Sequence, residues 1–392
     1  MNPRRSAREA AAGRRSGRPD ASGDARSPGL AGLAGLTGRP GGPTVRLPAG
    51  LIPGVHRLTD AIARDSGELG TPLVVDADGV FCARADAAGL TRRGDVSCGG
   101  AGHLLRTADG WLAVSLPRPD DWETTAAWLH MAAPPEHGRW ELIASRVSAR
   151  AGAELVDGAV LLGLAVAVVG ERAGDDDGPR VPSVPFGGVT VRDLGADDPT
   201  PQAADLTVVD LSALWAGPLA GSLLQRCGAR VIKVESTERP DGSRRGPAAF
   251  FSSLNGSKEL RNFDFRAPSG RRALLELVRR ADVVITSARP RALDHLGLDP
   301  VAMVAAGGPR AWLAVTGYGD APGSARRVAF GDDAAAAGGL VVWDRDGPCF
   351  CGDALADPVT GLAGAAALLA LLRSGRRAVV VASMADVAGG LA

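Results

Sequence analysis

The sequence predicts an α/β protein, a parallel-sheet domain with helices on both faces joined to a smaller α+β domain. Three observations lead there. In the second half, short continuous apolar runs alternate with helix-length amphipathic segments, the pattern of strands covered on both faces. At 392 residues the chain exceeds the usual size of one hydrophobic core. Residues 171–205, which include "DDDGPRVPSVPFGG", are charged and Pro/Gly-rich with one short strand candidate, and they read as a linker between two domains.

In chain order, residues 1–45 are rich in Arg, Gly, Ser and Pro and poor in large apolar side chains, so they are expected to stay disordered. Asp20 and Asp24 and the lack of an amphipathic pattern argue against a transit peptide. Residues 46–170 form the expected small α+β domain. Its clearest strand is "GWLAVSL", after the Asp109-Gly110 turn. The helix "DDWETTAAWLHMAA" follows, with Asp120 or Asp121 as cap, and "ELVDGAVLLGLAVAVVGE" reads as a helix running into a buried strand.

Residues 206–392 form the larger domain. "LTVVDL", "GPLAGSLLQRCG" and "RVIKVES" make one strand–helix–strand unit, with Gly228 closing the helix. "SGRRALLELVRRA" before "DVVITSA", "DPVAMVAAGG" before "AWLAVTGYG", and "DPVTGLAGAAALLALLRSG" before "AVVVASM" repeat the theme. Ligands of such sheets bind beyond the carboxyl ends of the strands, so the loops after Asp210, Glu235, Ile285 and Val315 are the place to look.

Composition removes several functions. Lys+Arg and Asp+Glu are both 44, so no bulk field gathers nucleic acid or an anionic membrane. The apolar runs 159–170 and 358–372 are shorter than the roughly 20 residues of a membrane span. Five cysteines without framework spacing suit a reducing compartment, and the expected location is the cytoplasm. Cys349-x-Cys351 has no second ligand pair at matching spacing, so no metal site is expected.

The first loop of the larger domain, "LSALWAGP", has Gly217 followed by Pro218 and lacks the G-x-G-x-x-G of a dinucleotide site. The order of "VVDLSALWAGPLAGSLLQRCGARVIKVES", "NGSKELRNFDFRAPSGRRALLELVRRADVVI", "RPRALDHLGL", "VTGYG" and "DALADPVTGLAGAAALLALL" resembles the class III (CaiB/BaiF-type) CoA-transferases, a family that also holds 2-methylacyl-CoA racemases. The resemblance covers about 185 residues. It implies a Rossmann-like domain binding coenzyme A or acyl-CoA as substrate, with no prosthetic group, in a homodimer. Carried over residue by residue, it sets Leu214, Trp215, Ala216, Ser236, Phe263, Ser287 and His295 beside CoA. Ser236 and His295 stand where some relatives have arginine, and Arg239, Arg289 and Arg291 are near enough to supply phosphate contacts.

The resemblance implies Asp357 of "DPVTGL" as the nucleophile, with Asp353 the nearest competitor. Asp-Pro is also an ordinary helix start, the carboxylate accepting backbone N–H groups and Pro358 filling the first turn. The two readings are compatible, since a helix N-terminus favours the carboxylate anion. "SCGGAGHLLRTADGWLAVS" (97–115) resembles the family's smaller domain, so Gly99 and Gly100 are the expected glycine loop over Asp357; a plain turn into a hairpin is the alternative. In the family this part follows the nucleotide-binding part. Here it precedes it, which implies a permuted or fused-and-trimmed order and puts the family's interlinked form of dimer in doubt.

The implied reaction exchanges CoA between an acyl-CoA and a free carboxylic acid through an aspartyl-CoA intermediate. A racemase needs two opposed acid/base groups. That branch uses G-H-D, and "VAFGDDAAAAGG" has Asp332 at the histidine's place. A catalytically silent acyl-CoA-binding relative is the third reading.

Overall fold

The structure is a computed structural model that describes residues 30–174, 187–196 and 198–392. The first half runs α1 (Ala31–Gly35), α2 (Leu51–Glu68), α3 (Ala77–Ala88), β1 (Gly102–Arg106), β2 (Trp111–Ser115), α4 (Pro119–Trp128), α5 (Trp140–Val147), α6 (Gly152–Leu162) and β3 (Ala165–Val168). The second continues with β4 (Val189–Asp193), β5 (Thr207–Asp210), α7 (Ala216–Arg226), β6 (Arg230–Ser236), α8 (Ala248–Asn255), β7 (Glu259–Phe263), α9 (Pro268–Arg279), β8 (Val283–Thr286), α10 (Pro290–Leu296), α11 (Pro300–Ala305) and β9 (Ala311–Thr316). It ends with α12 (Gly331–Ala337), β10 (Val341–Asp344), β11 (Gly347–Phe350), α13 (Ala356–Arg373), β12 (Ala378–Ser383) and α14 (Met384–Gly389).

The main sheet has seven strands in the order β4-β12-β9-β8-β5-β6-β7, all parallel except β4, which runs antiparallel to β12 at the edge. β5 lies between β6 and β8, with Val208 opposite both Val231 and Val283. The chain thus winds outward from β5 first on one side and then on the other. α13 is the helix on which the core is built. It is apolar all round because α2, α7, α14 and the sheet enclose it. Gly361 and Gly364 let α7 and β9 come close: a methyl carbon at either would fall 2.8 Å from Ala216 O or a Leu313 methyl. Among the described residues α13 is the helix long and apolar enough to cross a membrane, and 89% of it is buried inside the fold.

The smaller sheet, β1-β2-β3, is antiparallel. Its turn is fixed by the Gly110 N–H donating to Thr107 Oγ1 at 2.9 Å and by the Thr107 hydroxyl donating to Asp109. Leu112, Trp122, Trp128, Ile143 and Leu155 form its own core. Leu104 and Ala113 of this sheet pack on Ala336, Val341 and Phe350, so the small sheet docks on α12 and the β10–β11 ribbon.

Three segments differ from the sequence expectation. Residues 30–45 of the expected disordered tail carry α1, whose Gly32 and Leu33 N–H groups donate to Asp78 at 2.8 and 3.0 Å. Leu30 and Leu33 are buried in the main core and Thr37 is buried beneath Cys351. Two leucines one turn apart suffice because a carboxylate satisfies the helix's first donors; residues 1–29 lie outside the described residues. Within the expected linker, the strand candidate is β4, paired along its length with β12, while 175–186 and 197 lie outside the described residues. α2, expected in the small domain, buries Leu51, Val55, Leu58 and Ile62 in the main core, the face its 3.6-residue period sets.

Candidate active site

The parallel sheet opens at the carboxyl ends of its strands between β5 and β8, the point from which the chain winds both ways. A cleft of about 250 Å³ lies there. Leu214, Ala216, Ser287, Arg289, Arg327 and Asp357 are among the residues lining it. The loop after β5 is held in a tight shape. Leu214 is left-handed at φ 69°, its N–H donates to Asp241 Oδ1 at 2.9 Å, and the Ala213 N–H donates to Ser287 Oγ at 2.9 Å. Both lysines of the sequence are spent beneath this loop: Lys233 Nζ lies 2.8 Å from Asp241 Oδ2 and Lys258 Nζ 2.8 Å from Asp210 Oδ2, all four side chains buried. Burial alone would raise the Asp210 carboxyl, but Lys258 and Lys233 outweigh it and bring it down to about 2.

Asp357 is the second residue of α13. The turn before it contains Gly352 at φ 70° and Ala354 at φ 47°, a non-glycine residue in the left-handed region. Leu355 stands at the cap position and supplies no side-chain cap, so Asp357 does not serve as the helix cap. Its carboxylate instead faces the Ala216 N–H and the bare backbone of Gly331. Burial pushes the carboxyl up to about 7, with Asp332 and Asp353 adding to the rise and Arg84 and the Ala216 N–H opposing it. The helix N-terminus was expected to favour the anion; desolvation and two neighbouring carboxylates outweigh it.

Those neighbours form a compact cluster. Asp332 Oδ1 accepts the Ala354 N–H at 2.9 Å, and burial with Asp353 raises its carboxyl to about 6 against the pull of Arg84 and the Ser97 hydroxyl. Asp353 is held bidentately by Arg84, Nε to Oδ2 at 2.8 Å and Nη2 to Oδ1. Asp333, next to Asp332, accepts the Phe330 N–H at 2.9 Å, and burial pushes it up to about 7. On the cleft wall Arg327 pairs with Glu171 and lies over the Tyr318 ring, 3.5 Å from its centre. All five cysteines are free and buried, and burial raises their thiols to about 11 or 12, which makes thiolate chemistry unfavourable near neutral pH.

Residues 204–391, which carry the sheet, the cleft and Asp357, match CoA-transferase family III. That stretch, just under half of the chain, is similar to the family. An acyl-CoA transferase of Fusarium pseudograminearum is 30% identical over 201 residues, which are 46% of this chain and 44% of the relative. A succinate–glutarate CoA-transferase of Agrobacterium fabrum is 30% identical over 207 residues, 48% of this chain and 52% of the relative. A CaiB/BaiF family protein from Brucella suis, known by its crystal structure, is 31% identical with a TM-score of 0.44, covering 50% of this chain and 55% of that one. The chain spans about half the length of the curated relatives it matches.

Of the residues that the resemblance to class III CoA-transferases picks out, Leu214, Ala216, Ser287, Arg289 and Asp357 meet in the one cleft. Trp215 is buried behind it, edge-on to Phe250 at 5.0 Å. Ser236 and Phe263 end β6 and β7 opposite each other, farther along the same sheet edge and outside the cleft lining. His295 is exposed in the last turn of α10. Gly99 and Gly100 do not line the cleft; they lie against Arg84 and Arg93, and a methyl carbon on Gly99 would sit 3.3 Å from Arg84 Nη2.

Sequence reasoning missed Arg84, Gly331 and Arg327. Arg84 sits in "FCARADAA" with no motif around it and reaches the site across 269 positions of sequence. A signal existed for Gly331, since it opens the "GDD" stretch that stands where the racemase branch has G-H-D.

Proposed function

We propose that the protein is a CoA-transferase exchanging CoA between an acyl-CoA and a free carboxylic acid, with Asp357 as the nucleophile. One observation carries this reading: the Asp357 carboxylate opens into the cleft at the switch point of the parallel sheet, beside loops that are similar to a CoA-transferase family. The relatives' names, acyl-CoA transferase and succinate–glutarate CoA-transferase, agree with it.

The ionised Asp357 Oδ attacks the thioester carbonyl carbon. The tetrahedral adduct collapses with cleavage of the C–S bond, giving a mixed anhydride and CoA thiolate. The thiolate then attacks the Asp357 acyl carbon, the C–O bond to the donor acyl group breaks, and the donor leaves as a carboxylate. An aspartyl-CoA thioester remains. The acceptor carboxylate repeats both steps in reverse and restores Asp357. No net proton is consumed, and covalent catalysis divides one difficult exchange into easier ones. The Ala216 N–H, already facing the carboxylate, is a ready donor to oxyanions formed on it. Ser287 and Arg289 line the same cleft and offer polar and cationic contacts to a CoA tail. A homodimer in the cytoplasm remains part of this proposal.

The test is incubation with a panel of acyl-CoAs, trapping with hydroxylamine or borohydride, and mass spectrometry of the peptide containing residue 357. A modified Asp357, lost in Asp357→Asn along with turnover, is the expected result. Label elsewhere overturns the assignment. Exchange of the α-hydrogen in D₂O without acyl transfer would instead select racemisation, and bound acyl-CoA with neither reaction a silent binder.

A further inference from the structure

We propose that Arg84, reaching the site from the half of the chain outside the family match, is the positioning residue that favours the charged form of the Asp357 carboxylate against its surroundings, and that its ion pair with Asp353 tempers this effect. The inference deepens the assignment of Asp357 as nucleophile and rests on it.

Three carboxylates crowd one corner of the fold: Asp332 in the first turn of α12, Asp353 in the turn 352–355, and Asp357 in the first turn of α13. Carboxylates sharing a site resist being ionised together. Arg84 grips Asp353 with two nitrogens and lies within electrostatic reach of the other two. The Asp353 side chain is fully buried, and that of Arg84 is 30% exposed, so the pair is screened weakly. The remaining groups facing the cluster carry no balancing charge. Asp332 has the Ser97 hydroxyl, the Ala354 N–H and the adjacent Asp333 carboxyl, which burial pushes up to about 7; Asp357 has the Ala216 N–H, and Cys98 is a thiol that burial keeps neutral. Two other cations line the same cleft: Arg327 is committed to Glu171, and Arg289 is exposed to solvent at the start of α10. Among the described residues Arg84 is therefore the cation that acts on both Asp332 and Asp357.

Arg84 is itself held in place. α3 is capped by Asp76, whose Oδ1 accepts the Gly79 N–H at 3.1 Å, and Asp78 of the same helix holds α1. The first half of the chain thus contributes to the chemistry as well as to the core.

The charges make an asymmetric prediction. Removing the Arg84 charge leaves three carboxylates unopposed, so Asp357 becomes harder to ionise. Removing the Asp353 charge deletes a like charge and frees the guanidinium, so Asp357 becomes easier to ionise. A purely structural role would not move the two variants in opposite directions.

The full-length protein carrying ¹³C-carboxyl aspartate would be titrated by NMR as wild type, Arg84→Gln, Arg84→Lys and Asp353→Asn, with the Asp357 resonance assigned by its loss in Asp357→Asn. Turnover of acyl-CoA would be followed over the same pH range. In Arg84→Gln the Asp357 midpoint should rise by about one unit and turnover at pH 7 fall about fivefold, recovering by pH 9. Arg84→Lys, which keeps the charge but not the two-nitrogen grip, should fall between wild type and Arg84→Gln, and in Asp353→Asn the midpoint should fall. Midpoints that move together, or an Arg84→Gln loss equal at pH 7 and 9, would overturn the proposal. Opposite shifts in a protein with no turnover would sink the transferase reading and leave this one standing. If Arg84→Gln does not fold, the direction of the Asp353→Asn shift decides.

Discussion

Replacing Gly331 by alanine puts the proposed nucleophile to a steric test. Gly331 opens α12 with its bare Cα against the turn that leads into α13. A methyl carbon built there comes closer than 3.0 Å to both Ala354 O and Asp357 Oδ2, a separation real side chains do not show. The Ala354 oxygen belongs to a turn whose backbone already holds a left-handed alanine, so it has little room to give. The carboxylate must retreat by about 1 Å to reach an ordinary contact of 3.4 Å. Overpacking of this kind costs about 1–3 kcal/mol of stability, and a misplacement of about 1 Å at the reacting atom costs on the order of 100-fold in rate. Gly331→Ala should therefore lose about two orders of magnitude in kcat while remaining folded. Gly323→Ala, in the preceding loop with nothing within 4 Å of its added methyl, should lose nothing. The assay is steady-state turnover beside urea unfolding of the same samples. Near wild-type kcat in a folded Gly331→Ala protein would refute the placement of Asp357 at the reacting centre.

Other expectations concern charge. Because burial raises Asp357 to about 7 and the anion is the nucleophile, kcat/KM should climb with pH through an acid limb centred near 7; a flat profile from pH 5.5 to 8.5 would contradict this. The same shift has a stability sign. The folded protein keeps on Asp357 a proton that the unfolded chain, titrating near 3.8, gives up, so the favourable contribution is present at low pH and disappears as pH rises through about 7. Asp357→Asn should accordingly gain more in Tm over wild type at pH 8 than at pH 5, and equal differences at the two pH values would show that the carboxyl is not buried as described. Beneath the cleft, Asp241→Ala leaves Lys233 charged and buried without its partner and removes the acceptor of the Leu214 N–H. Loss of one member of a buried pair costs about 3–5 kcal/mol; a change below 1 kcal/mol in urea unfolding would show that the network does not hold the loop.

The strands and helices of the second half were legible because their signal is local: "LTVVDL" and "AVVVAS" are apolar without interruption because both faces of the sheet are covered. β7 was missed. Its sequence, "ELRNF", has neither an apolar run nor a clean alternation, and it becomes a strand by pairing with β6 at the sheet edge. Residues 30–45 were misread for a related reason, since the leucines of α1 are too few to predict a core contact until Asp78 and α2 are present to receive them.

By itself the sequence determined the α/β class, the order of the strand–helix units and the motif that singles out Asp357, because each is written in residues close together along the chain. Only the tertiary structure decided which half-buried groups face that carboxylate. Arg84 lies 269 positions from its partner, and the ease of ionising Asp357 depends on desolvation and on charges drawn from α3, α12 and the turn before α13. Electrostatic energy depends on distance and dielectric in three dimensions, and no local pattern of residue types records either.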